Sequence, residues 1–120
     1  MKPINISEKF KLFNEQWTPK KIGELNGQQV LLARLQGEFI WHSHADEDEL
    51  FLIIKGSLRI VFRDGEVLLN EGDLYIIPKG VEHKPIAKEE VWIILFEPAQ
   101  IKHTGEVDHE LTVTKFEDIR

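Results

Sequence analysis

Residues 37–56 read GEFIWHSHADEDELFLIIKG, and the fold turns on this stretch. His42 and His44 are two residues apart in a run of strand-forming residues, Phe39 to His44. Successive side chains of a strand point to opposite faces, so these two imidazoles share one face. Asp46-Glu47-Asp48 reads as a solvated loop. Glu49 to Ile54 reads as the next strand, and if it lies antiparallel beside the first, Glu49 returns to the imidazoles. Glu49 leads straight into Leu50-Phe51-Leu52, where a buried carboxylate without a partner is expensive. Two imidazoles and a carboxylate meeting at one point suit a divalent transition metal. His83 is a fourth candidate. On alternation, Phe51 and Ile53 share the Glu49 face and Ile40 that of the histidines, as apolar lining of a cavity. Trp41 faces away.

Moving outward, turn signals recur at short intervals. Lys20–Leu25, Asn26-Gly27 and Gln28–Leu35 form a hairpin pattern, since Asn-Gly supplies the two positive φ angles of a type I′ turn. Gln36-Gly37 turns the chain into the histidine strand. Downstream, Lys55-Gly56, Asp64-Gly65, Asn70-Glu71-Gly72 and Pro78-Lys79-Gly80 separate short strands at Ser57–Arg63, Glu66–Leu69 and Leu74–Ile77. Val91–Phe96 is a fully apolar strand ended by Pro98. Many short β-branched and aromatic runs at this spacing indicate an all-β sandwich or barrel. The amino-terminal segment admits two readings: a short helix capped by Ser7, or a strand through the alternating Lys9-Phe10-Lys11-Leu12. The tail is polar from Lys102 to Leu111–Thr114, with a short helix expected at its end. His103 and His109 in that tail read as surface residues. Repeats and linkers are absent, so residues 1–120 are expected to form one domain.

Composition narrows the function classes. The 120 residues carry 15 Lys and Arg against 21 Asp and Glu, a net charge of −6, which disfavours a nucleic-acid partner. The longest apolar run, Val91–Phe96, is far below the roughly 18 residues of a membrane span. The start MKPINISEKFK has no signal-peptide core, so a cytoplasmic protein without membrane partner is expected. There is no cysteine, which removes disulfides, thiolate catalysis and sulfur ligands.

Two motifs closely resemble those of the cupin superfamily. Gly37, His42-Ser43-His44, Glu49 and Gly56 resemble its first motif, within 37–56. Gly72, Pro78-Lys79-Gly80 and His83 resemble its second, within 72–87. Two departures stand out: four residues rather than five separate Gly37 from His42, and Ala87 replaces a terminal Asn. The resemblance implies a double-stranded β-helix, the cupin jelly-roll barrel, with little helix, of the small mannose-6-phosphate-isomerase-like or cupin_2 type. It implies one divalent transition metal (Zn, Fe, Mn, Ni or Cu) held by His42, His44, Glu49 and His83. It further implies a small-molecule ligand and a homodimer, in which the amino-terminal segment could be exchanged as an edge strand. Fold does not name the reaction. Three functions stay open: a metal-dependent enzyme on a small polar molecule, such as a dioxygenase, isomerase or hydrolase; a non-catalytic binding barrel; and a metal-free sugar isomerase or epimerase. Arg59 and Arg63 read as solvated. Arg34, as an anion-binding residue, and Tyr75, as an acid or base, are left open by the sequence.

Overall fold

The computed structural model describes residues 2–99 and 116–120. After a short helix α1 (Ile6–Phe10) come the strands β1 (Lys20–Leu25), β2 (Gln28–Glu38), β3 (Glu49–Lys55), β4 (Leu58–Phe62), β5 (Gly65–Leu69), β6 (Leu74–Ile77), β7 (His83–Pro98) and β8 (Glu117–Asp118). The all-β expectation holds. His103, His109 and Leu111–Thr114 lie outside the described residues. Among the described residues, no helix is long and apolar enough to cross a membrane.

The architecture is built on β7. One of its edges pairs antiparallel with β2, from Gln28↔Pro98 to Glu38↔Ile86. Its other edge pairs with β4 over His83–Ile86 and then with β3 over Trp92–Phe96. β5 extends β4, and β6 extends β3. The 16-residue strand thus feeds both sides of the barrel. Its register slips against β2 between the pairs Leu35↔Val91 and Gly37↔Ala87, which leaves Lys88, Glu89 and Glu90 bulged.

Alternation sorts the side chains. Leu31, Ala33 and Leu35 of β2, Phe51 and Ile53 of β3, Leu58 and Ile60 of β4, and Val91, Ile93 and Leu95 of β7 are buried in one core. A second cluster sits on the outer face, where Phe10, Phe13, Ile22 and Leu32 are buried with Trp92 and Ile94 against them. Phe10 stacks on Trp92 with ring centroids 4.7 Å apart, so α1 is held by apolar contact rather than by its own short length.

Several local expectations are corrected. The helix reading of the amino terminus is right, but its cap is Asn5, whose side chain accepts the Glu8 N–H at 2.9 Å; Ser7 lies inside the helix. Phe39–His44 is not a regular strand. It continues along β7 through the Phe39 N–H to Pro85 O bond (3.0 Å) and a single His42↔His83 bridge. β3 pairs with β6 and β7, not with the histidine segment. The carboxy-terminal residues form β8, parallel to β1, instead of a helix. Asn26 and Gly27 have φ of 52° and 78°, as a type I′ turn requires. The β4–β5 loop is Arg63-Asp64, since Gly65 already pairs with Phe62.

Gly56 stands at the point where the edge of β7 passes from β4 to β3. Its φ is +88°, and a Cβ there would lie 3.0 Å from the Glu90 carbonyl oxygen and 3.3 Å from Val91 Cα. Both obstacles are backbone. Gly56→Ala is therefore expected to cost roughly 1–3 kcal/mol in denaturant unfolding; a variant as stable as the parent would contradict this reading of the crossover.

Candidate metal centre

The two turns flanking the histidines are tied together before any ligand is considered. The His42 N–H donates to His83 O at 3.0 Å and the His83 N–H to His42 O at 2.9 Å. The Gly80 N–H donates to His44 O at 2.7 Å, and the Lys79 N–H to the Asp48 carboxylate at 2.9 Å. The Pro78-Lys79-Gly80 turn is thereby locked onto the histidine segment, with Asp46 and Asp48 exposed, as read from the sequence.

The ring orientations follow from the backbone. His42 Nδ1 lies 2.8 Å from Ile40 O, and His83 Nδ1 lies 3.0 Å from Val81 O. A carbonyl only accepts, so each Nδ1 carries the proton and each Nε2 keeps its lone pair. This is the arrangement by which metal-binding histidines are usually oriented. His44 differs: neither of its buried ring nitrogens has a hydrogen-bond partner.

Glu49 lies among these rings. Its Oε2 is 3.5 Å from His44 Nε2 and its Oε1 is 3.7 Å from His83 Nε2. The donor atoms of His42, Glu49 and His83 all fall within 4.8 Å of one another, as do those of His44, Glu49 and Glu97. The four residues from the sequence thus lie around Glu49, in two sets that share that carboxylate, His44 standing apart from His42 and His83. All are buried, none more than 4% exposed. Burial, followed by the neighbouring His83, lowers the His42 pKa to about 4, so this ring is neutral at physiological pH. Burial alone would raise the Glu49 pKa, but the adjacent His44 and His83 rings outweigh it and hold the carboxyl well below its ordinary value. The donors are two imidazoles with exposed lone pairs, a third without partner and an ionised carboxylate, a chemistry that fits a divalent cation.

A small cavity of about 30 Å³ opens beside His42 and Glu49. Its other walls are Trp17, Pro19, Ala33, Leu35, Phe39, Phe51, Pro85, Ile93 and Leu95, all apolar apart from the Trp17 indole N–H. Of the lining foreseen from alternation, Phe51 is present. Ile53 is core, and Ile40 lies off the cavity wall. Trp17 comes from the amino-terminal arm. It stacks on Phe39 at 4.6 Å and donates its indole N–H to Gln36 O at 2.9 Å, with its own φ at 59°. No local sequence signal marks it.

Arg34 is outside the cavity. Its guanidinium lies 4.5 Å from the Trp92 ring and 5.7 Å from that of Phe13, and donates to Glu90 (2.8 Å) and to Phe10 O (2.7 Å). It clamps the amino-terminal segment to the barrel and does not line the cavity. Arg59 pairs with Glu66, and Arg63 with Glu82, both exposed as expected. Trp41 faces outward under the Arg63 guanidinium, 3.8 Å from its ring. Tyr75 packs against Phe62 and does not line the cavity.

Sequence reasoning missed Glu97. It is 0% exposed, in phase with the inward-facing Val91, Ile93 and Leu95, and neither carboxylate oxygen has a hydrogen-bond partner. Burial and then the charge of Glu49 push its pKa well above the usual carboxylate range. The signal was available: the apolar run was ended at Phe96, one residue before a glutamate on the buried phase.

The fold and site together define a small jelly-roll barrel with a buried histidine and carboxylate cluster. The chain belongs to the Cupin_2 family, whose cupin domain matches residues 31–96. It is similar to a cupin-2 domain protein of Shewanella frigidimarina (53% identity, TM-score 0.79, covering 79% of this chain and 93% of that one). A protein of Neisseria meningitidis is similar at 28% identity and TM-score 0.74, over 81% of this chain and 99% of its own. The uncharacterized Bacillus subtilis protein YdbB is 45% identical over 64 residues, 52% of this chain and 57% of YdbB. The match thus spans little more than half the length of that curated relative.

Proposed function

We propose that residues 1–120 act as one cupin domain holding a single divalent transition metal through His42, His44, Glu49 and His83, and that this centre works as a metal-dependent enzyme on a small molecule. The observation that carries the reading is the fixing of the His42 and His83 Nδ1 protons by backbone carbonyls, which leaves both Nε2 atoms free beside Glu49 at the side of a cavity. Bound there, a divalent ion would supply Lewis-acid polarisation of a substrate oxygen. The residues themselves exclude water and fix the ligand's orientation.

The wall chemistry shifts the expected ligand from the small polar molecule of the sequence reading. Apart from His42, Glu49 and an indole N–H already bonded to Gln36 O, the walls offer only apolar surface. A molecule with an apolar body and one oxygen-bearing head fits this best. A sugar would leave its hydroxyls unpaired, which argues against the metal-free isomerase. Non-catalytic capture would use the same donors and the same cavity, and turnover of a bound molecule is what separates it from the enzyme reading.

The homodimer is supported by the outer face of β3 and β6. Leu50 pairs with Ile76 and with Phe96, and Leu52 with Leu74 and with Ile94, so an apolar row continues across three strands. Leu74 and Ile76 are 53% and 51% exposed on β6, which among the described residues pairs only with β3. A second copy on this face would cover both the row and the open edge. Light scattering should give twice the chain mass, falling to one chain mass in Ile76→Lys; a monomeric parent would contradict it.

Benzoate, an apolar ring bearing a carboxylate, is the probe for the ligand class. Zn(II)-loaded protein should gain thermal stability with benzoate and not with mannose 6-phosphate, about 2.7 kcal/mol at 100 times the dissociation constant. Ala33→Ile, which narrows the cavity without touching a ligand residue, should abolish the benzoate effect and retain the metal. Stabilisation by the sugar phosphate alone would overturn this reading.

A further inference from the structure

The barrel interior is divided around Glu49. On one side lies the apolar cavity, reached by His42. On the other lies a cluster of buried polar side chains: Glu97 of β7 sits opposite Gln29 of β2 in the antiparallel register, and the Leu50↔Phe96 pair brings Glu97 next to Glu49. Gln29 and Glu97 are 3% and 0% exposed. Yet the Gln29 amide nitrogen, both Glu97 oxygens and both His44 nitrogens are without hydrogen-bond partners. Buried polar groups are normally paired in a folded protein, so His44 and Glu97, grouped with Glu49, call for a partner; the Gln29 amide is a donor and is not part of that group. What would satisfy a carboxylate pair and an imidazole together is a cation.

We propose that Glu97 is a fifth ligand of the metal centre, so that the ion is held by two carboxylates and three imidazoles. This rests on the metal-site reading above and extends it to a residue that the two cupin motifs do not contain. Three further observations carry it. His44 lacks the carbonyl anchor of His42 and His83, and its donor atoms group with Glu49 and Glu97 rather than with the other two rings. The two oxygens of Glu49 face different partners, Oε2 towards His44 and Oε1 towards His83, so Glu49 joins the two sets. Charge balance decides the number of ions. One divalent ion against Glu49 alone leaves a net positive charge beside apolar walls, whereas with Glu97 also bound, its proton released as the ion enters, it leaves none. Two divalent ions would leave two positive charges uncompensated, and burial of such charge is strongly disfavoured.

The consequence is selectivity. A second carboxylate makes the donor set harder, which favours Mn(II) or Fe(II) relative to a site of imidazoles and one carboxylate. Five protein ligands would also leave the ion less room for an added ligand than four. The apolar cavity, bordered by Glu49 and His42, is where that ligand would enter.

The test is calorimetric titration of the chelator-stripped full-length protein with Mn(II) and, separately, Zn(II), for the parent, Glu97→Gln and Glu97→Asp. The parent should bind one equivalent of either metal. Glu97→Gln should weaken Mn(II) by about 10-fold or more and Zn(II) by less, with Glu97→Asp intermediate. Circular dichroism and the thermal midpoint confirm that each variant is folded. A purely structural role would weaken both metals equally, and that result overturns the proposal, as does unchanged Mn(II) affinity in folded Glu97→Gln or two equivalents in the parent. A parent that binds neither metal overturns the metal site itself, a failure distinguishable from that of the fifth ligand alone.

Discussion

An ionised carboxylate inside an apolar barrel must be compensated, and the structure is arranged around that requirement at Glu49. Its burial opposes ionisation, while His44 and His83 beside it favour it strongly enough to prevail. The rings around it must in turn be held in fixed orientations. Backbone carbonyls two residues upstream do this for His42 and His83. The carbonyls are in place because the histidine segment leaves the regular ladder and touches β7 at one bridge. A continuous strand would have committed Ile40 O to a neighbouring strand.

β7 makes this geometry available. It carries His83 at its start and Glu97 near its end, and pairs with β2 along one edge and with β4 and then β3 along the other. A slip in this strand would move His83, Glu97 and the core together, and the crossover between its two partners is made at a glycine because the β7 backbone leaves no room for a Cβ. The amino-terminal arm completes the outside. Arg34, stacked on Trp92, fastens that arm through Phe10 and Glu90, and Trp17 on the same arm closes the cavity wall.

Much of this was legible in the sequence, for identifiable reasons. The spacing of His42 and His44, the glycine-bearing turns and the costly position of Glu49 before an apolar run are local signals, and they pointed to a barrel and to side chains clustered at Glu49, although the histidine segment is not the regular strand that the spacing assumed. His83 was assigned by resemblance, because nothing local distinguishes a histidine after a turn. What was not legible depends on long-range contact. The partner of β3 is set by β7, some forty residues later in the chain, and Trp17 meets the cavity only because the arm folds back. Arg34 lies between Ala33 and Leu35, which read as core, yet its guanidinium lies on the other face in an aromatic clamp. Glu97 is the instructive omission. Its phase with Val91, Ile93 and Leu95 was visible, but a strand reading that stops at the first charged residue discards a buried charge.

The account stands on a metal at the Glu49 centre, and elemental analysis of protein purified without affinity tag or chelator tests this most directly, with His42→Ala beside it. About one equivalent of a single transition metal in the parent, lost in the variant, is the result the account requires. No metal in either sample after reloading, or equal metal in both, would contradict it.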